Sequence, residues 1–222
     1  ALEEFVRSSV KDEDLRCFLL QREGDVVEAA RGWKRHMQWR REVCPWWPGL
    51  PGREDVSISI GHEKAMVVGK DVVGRPVLYV DAGRHFVGEV EWEETQKFVL
   101  FMIEHALACA EEESGEEKGG VGKQFCVLVD FDTLSLETLD TSVPGFILNM
   151  LLLNYPSKLH RLFVMSDSML AWGVWALILP FLSERSRRRV VWGPTMEDLE
   201  KRMPKSAIPE KFGGSAPLPT VE

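Results

Sequence analysis

Phe125-Cys-Val-Leu-Val-Asp130 is a run of six residues with no charge before its last position. A short apolar run of this kind reads as a strand covered on both faces, because a strand with one wet face would alternate apolar and polar side chains. On its N-terminal side, residues 91–110 predict a long helix with Trp92, Phe98, Phe101, Met102 and Leu107 on or near one side. Before that helix, Pro76-Val-Leu-Tyr-Val-Asp81 predicts another strand, entered through the turn-forming Gly74-Arg75. On the C-terminal side the pattern continues: a helix over 138–154, a strand Leu162-Phe-Val-Met165, a helix over 169–182 and a strand Arg189-Val-Val-Trp192. Strands that alternate with helices require parallel connections, with the helices packed on the sheet. The expected fold class is therefore α/β, with a mixed, mainly parallel sheet.

The N-terminal part has a different period. Residues 12–22 predict a short helix capped by Asp12, with Leu15, Phe18 and Leu19 on its apolar face, broken by Gly24. Asp25 caps a second helix running to about Glu42, in which Val26, Ala30, Trp33 and Met37 recur at helical spacing. The Pro/Gly-rich stretch 44–52 then marks a boundary, giving a helical segment over 1–52 and an α/β domain over 53–222. The charged, Gly-rich stretch 111–123 is expected to be a mobile loop.

Composition narrows the function. The chain of 222 residues carries a formal net charge of -8, so it has no general attraction for a phosphate backbone and no nucleic-acid partner is expected. Cys17, Cys44, Cys109 and Cys126 are scattered, which reads as reduced thiols of a cytoplasmic protein rather than a disulfide framework or zinc site. The longest apolar run, Met169 to Leu182, is shorter than the roughly 20 residues a membrane-spanning helix needs. The N-terminus has no apolar signal core.

Enzymatic patterns fail on their chemistry. There is no Gly-x-Ser-x-Gly elbow. Gly119-Gly-Val-Gly-Lys123 has the glycines of a phosphate loop, but it precedes a strand and is followed by Gln124. His105, Cys109 and Glu112 share a helical side as a conceivable metal set, against the commoner reading of a half-buried histidine near a helix end. No metal, no cofactor and no catalytic residue are expected.

Six pieces in order resemble the CRAL-TRIO family, whose founding fungal member transfers phosphatidylinositol and phosphatidylcholine. They are the helical segment from Asp14 to Val26 ending in Trp39-Arg40; Asp71-Val-Val-Gly-Arg-Pro-Val77; Val129-Asp130 with Leu134-Ser135-Leu136; Asn154-Tyr155-Pro156; Pro180-Phe181-Leu182; and Ile208-Pro-Glu-Lys-Phe-Gly-Gly214. The resemblance implies a lipid pocket floored by the sheet and closed by a movable gate helix. It also implies a soluble carrier of one phospholipid or other hydrophobic ligand, acting as a monomer and peripherally at a membrane surface. Enclosing a lipid removes a penalty of about 0.8 kcal/mol for each methylene otherwise in water.

The segment 169–182 aligns with that gate. Met169, Trp172, Gly173, Trp175, Ile178 and Phe181 make it apolar all round, which is also the pattern of a fully buried core helix. In the gate reading, Trp172 and Trp175 insert at the headgroup level and Gly173 eases a hinge motion. Arg185-Ser-Arg-Arg-Arg189 follows at once, either a solvated turn or a contact for anionic lipid.

In phosphatidylinositol-transferring relatives a headgroup site uses an Arg, a Glu, a Thr and a Lys, which fall here on Arg22, Ser157, Ser186 and Arg189. Ser157 replaces a carboxylate, so the pattern implies a phosphate site without implying inositol selectivity. Ser135 lies where relatives contact phosphocholine, although a serine after a strand is ordinarily a capping residue. Haem-binding relatives give His105, Tyr79 and Tyr155 a residual role. The alternatives to a phospholipid are a neutral ligand (sterol, tocopherol or retinoid) or a filled pocket serving only as an interaction module.

Overall fold

A computed structural model of the chain describes residues 12–43, 51–110, 123–166 and 168–218. Cys44, most of the 44–52 boundary, the 111–122 part of the loop, and Glu112 of the conceivable metal set lie outside the described residues, as does the N-terminus.

Two helices, α1 (Asp12–Gln21) and α2 (Val26–Val43), open the described chain. The turn between them places Gly24 at φ 91°, a left-handed conformation that glycine adopts without a Cβ clash. Asp25 accepts from the backbone N–H of Glu28 at 2.9 Å and caps α2, as its position predicts.

A short helix α3 (Ser57–Gly61) precedes a five-stranded sheet: β1 (Ala65–Lys70), β2 (Pro76–Asp81), β3 (Phe125–Asp130), β4 (Leu159–Met165) and β5 (Val190–Trp192). The spatial order is the chain order, with β1 antiparallel to β2 and every later pair parallel. Strand β1 was not anticipated, because Met66-Val-Val-Gly69 is interrupted by a glycine. Gly69 is needed there: a Cβ would sit 2.7 Å from that of Ala207, and the register with β2 shifts between Val67 and Gly69.

The three parallel crossovers run through α4 (Trp92–Cys109), α5 (Ser142–Asn149, continued as a π-turn over Met150–Asn154) and α6 (Met169–Ile178). Right-handed crossovers that step the same way across a sheet put all their helices on one face. The other face is covered by the C-terminal segment, where Leu199 in α8 (Met196–Glu200), Met203 and Ile208 pack on Val77, Leu128 and Phe163. Strand β3 is thus apolar from Phe125 to Val129 because it is covered twice, with Phe125, Val127 and Val129 turned to the helices and Cys126 and Leu128 turned to the C-terminal cover.

Element ends differ from the sequence reading in two places. α5 starts at Ser142 rather than 138, because Ser135 and Thr138 spend their groups on each other in a local turn, Ser135 N–H donating to Thr138 Oγ1 at 3.0 Å. α6 stops at Ile178 and gives way to a 3-10 turn over Leu179–Phe181, because Pro180 has no N–H to continue the helix.

The N-terminal helices dock through a buried charge. Arg40, 5% exposed, ion-pairs with Glu104 of α4, and the same carboxylate oxygen accepts from Tyr155 Oη at 2.6 Å. The π-turn that ends α5 also presents Asn154, whose Oδ1 lies 3.3 Å from Nδ1 of the buried His36 in α2. Burial, with Arg40 nearby, pushes the His36 pKa down to about 4, so the ring is neutral at pH 7.

Candidate functional site

Between the sheet and its three helices lies a cavity of about 730 Å³. Its floor is the helix-side face of the strands: Leu78 and Val80 from β2, Val127 and Val129 from β3, and Leu162 and Val164 from β4. Alternation along a strand makes this floor continuous, since every second residue points the same way. Phe98 and Met102 of α4, and Ile147 and Leu151 of α5, form two walls. A cavity this size, floored and walled by aliphatic and aromatic groups with its polar groups gathered at its ends, suits a hydrophobic ligand.

The third wall is α6, and its two sides differ in what they meet. Ala171, Val174, Trp175 and Ile178 face the cavity. On its other side, Met169 is 88% exposed, Trp172 50% and Leu177 55%, and Phe181 just beyond is 69% exposed. A core helix would have those groups covered; here a row of large apolar side chains meets solvent. Trp172 stacks on Trp192 of β5 with ring centroids 4.2 Å apart, and Trp175 lies 5.9 Å from the same ring. These indoles hold α6 against the edge strand. Gly173 is on the exposed side, with nothing within 4 Å of where a Cβ would stand.

Strand polarity separates the polar lining into two ends. At the N-terminal edge of β4 and β5 are Ser157, Ser186, Arg185, Arg188 and Arg189. The helix α7 (Glu184–Arg187), capped by Ser183, carries part of this group. Arg189 Nη1 donates to the backbone carbonyl of Leu159 at 2.7 Å, and burial beside Arg185 lowers its pKa from the usual arginine value. Arg187 turns the other way, donating to the carbonyls of Leu182 and Leu179 at 3.1 and 3.0 Å, where it satisfies the turn that follows α6.

Of the residues the sequence nominated for a phosphate, Ser157, Ser186 and Arg189 line this cavity together. Arg22 does not; it lines a separate hollow of about 270 Å³ between the N-terminal helices and α5, with Arg35, His36 and Asn154. Ser135 is not among the lining residues and serves the turn with Thr138 described above. His105, Tyr79 and Tyr155 are not brought together: His105 stacks on Phe101 and lies 3.9 Å from Cys109 Sγ, Tyr79 bonds to Asp130 on the other face of the sheet, and Tyr155 bonds to Glu104. Among the described residues no three metal-ligating side chains meet.

The second polar end, at the C-terminal edge of β2 and β3, was not foreseen. It contains Lys64, Asp81, His85, Thr95, Thr138 and Asp140, contributed by five separate segments. Each is isolated in the sequence, so only the topology reveals the cluster.

A one-sided helical cover over a sheet-floored apolar cavity, with one wall apolar on its exposed outside, defines a container for a hydrophobic molecule. The chain belongs to the CRAL/TRIO domain family, whose model matches residues 61–214. It is 26% identical over 151 residues to a phosphatidylinositol transfer protein, CSR1, of Eremothecium gossypii, covering 68% of this chain and 33% of that protein. A Schizosaccharomyces pombe protein named for its CRAL-TRIO domain is 23% identical over 206 residues, covering 90% of this chain and 45% of the relative. The chain thus spans less than half the length of these curated relatives. The crystal structure of Sfh5 shares the fold, with a TM-score of 0.62 and 14% identity, over 86% of this chain and 68% of that one. Among the described residues no helix is long and apolar enough to cross a membrane.

Proposed function

We propose that this protein carries one lipid in the cavity between sheet and helices, and exchanges it at a membrane surface without covalent chemistry. The observation that carries this reading is the two-sided apolar character of α6: its inner side lines the cavity and its outer side is exposed. A helix of that kind has a second apolar environment to enter, and the interfacial region of a bilayer supplies it. Swinging outward there opens the cavity while its outer groups are buried in lipid.

A phospholipid is the ligand favoured, its phosphate held at the Arg189 end by Ser186 and Ser157 hydroxyls and the guanidinium donors that Leu159 leaves free. The relative named for phosphatidylinositol transfer supports this choice. A neutral ligand is favoured by a different observation: Arg22 stands outside the cavity, which reduces the charge available to a headgroup. The open volume supports ligand carriage over a filled interaction module.

The test is native mass spectrometry and solvent extraction of the purified protein, followed by transfer between vesicles. A phospholipid adduct whose yield falls in Arg189→Ala supports the phosphate-anchored reading. A neutral adduct indifferent to that change supports the sterol or retinoid class. No adduct and no transfer would remove carriage altogether.

A further inference from the structure

Lys64, just before β1, is 6% exposed and lines the apolar cavity at the edge opposite the arginines. Its ammonium has three N–H donors. One meets Nδ1 of His85 at 3.5 Å, and the charge also lies 5.0 Å from the centre of the Phe98 ring. Among the described residues, no carboxylate oxygen comes within 4.0 Å of it. His85 is oriented from behind: its Nε2 lies 3.4 Å from Asp140 Oδ2, and Asp140 is itself fixed by the Ser142 N–H at 2.8 Å. Because that carboxylate only accepts, Nε2 carries the ring proton, and Nδ1 is left to accept from Lys64. Asp81, the other acid at this end, is already engaged by Arg84 Nε at 3.4 Å and by the Thr133 hydroxyl at 2.8 Å. Lys64 is thus held in place with donor capacity unspent, inside an apolar chamber.

A buried ammonium with one neutral partner is costly, and burial lowers the Lys64 pKa, with Glu94 opposing. An anionic oxygen delivered by a ligand relieves that cost. Asp81 is paired with Arg84, Asp140 is held by Ser142 and His85, and Glu94 acts on Lys64 from beyond ion-pair distance. With Lys64 the single cation lining this end among the described residues, it suits a monoanion rather than a dianionic phosphate.

We propose that this end of the cavity is a carboxylate-binding subsite, in which Lys64 is the counter-ion for the head of a single-chain amphiphile whose tail runs along the sheet floor. The floor is long enough: six-residue strands span roughly 20 Å at about 3.3 Å per residue. This inference rests on the cavity being a ligand site.

The experiment measures binding of oleate and of methyl oleate to the delipidated full chain at pH 7.5, for the natural sequence and for Lys64→Met. The two probes share a tail and differ in charge at the head. The expected result is that the natural protein prefers oleate by about tenfold, the worth of a charge-assisted bond. Lys64→Met brings the two affinities level and leaves methyl oleate unchanged, which also shows that the variant is folded. Should Lys64→Met lose both probes, Lys64→Gln is read by the same ratio. Equal binding of both probes to the natural protein, or a preference that survives removal of Lys64, overturns the carboxylate subsite and leaves the cavity reading standing. Failure of both probes and of phospholipid to bind overturns the two together.

Discussion

Lys211, in the C-terminal cover, ion-pairs with Asp130, the last residue of β3, whose carboxylate is wholly buried. Asp130 also accepts from Tyr79 Oη of the neighbouring strand at 2.8 Å and from the Asp132 N–H at 3.0 Å. One carboxylate therefore ties the central strand, its neighbour and the C-terminal cover together. Burial and the Asp130 carboxylate push the Tyr79 pKa far upward, so its hydroxyl remains a donor over the whole working range. Lys211→Met leaves an enclosed charge with neutral donors only and should cost about 3 kcal/mol. Tyr79→Phe removes one hydrogen bond and should cost about 1 kcal/mol. Urea denaturation at pH 7 ranks the two; a larger loss for Tyr79→Phe would contradict this account.

Acid sensitivity should centre on His36. Its folded pKa of about 4 lies below the unfolded value of 6.5, so the unfolded chain binds the proton first. The stability tied to the neutral ring is complete above pH 6.5 and drains away as pH falls toward 4. By pH 5 the loss from this residue is about 2 kcal/mol. His160, also lowered to about 4, chiefly by burial with Arg75 and Arg161 adjacent, contributes in the same direction. Denaturation of the natural protein and of His36→Gln at pH 7 and pH 5 isolates the first term: the variant should lose less between the two values.

Phe181 and Met169 lie on the exposed side of the segment 169–182. Replacing either by Ser should change stability by less than about 0.5 kcal/mol, since little native contact is lost. Both should weaken sedimentation with phospholipid vesicles. A fall in stability with unchanged vesicle binding would mean that these side chains serve the fold.

Gly173 has open space beside it. Gly173→Ala should raise the stability of α6 by up to about 1 kcal/mol. If bending of α6 is used in exchange, transfer between vesicles slows in the same variant. Thermal denaturation and a transfer assay on one preparation read both effects.

The sheet was legible because its covered strands are written in uninterrupted apolar residues: Val77 to Val80 and Phe125 to Val129 admit few other readings. β1 was not, since Gly69 breaks its pattern for the sake of close approach to Ala207. The arginine end of the cavity was partly visible because Ser186 and Arg189 are neighbours in sequence. The Lys64 end was invisible for the opposite reason. Lys64, His85 and Asp140 come from three separate connections, and each alone looks like an ordinary surface residue.

The one-sided arrangement of the crossover helices divides the molecule mechanically. Strand pairing and the C-terminal cover form a chassis whose hydrogen bonds do not pass through α6. α6 is attached by side-chain packing, chiefly Ala171, Val174 and the indole stack on Trp192. On the proposed reading of α6 as the gate, exchange peels one panel from a frame that keeps its ladder intact.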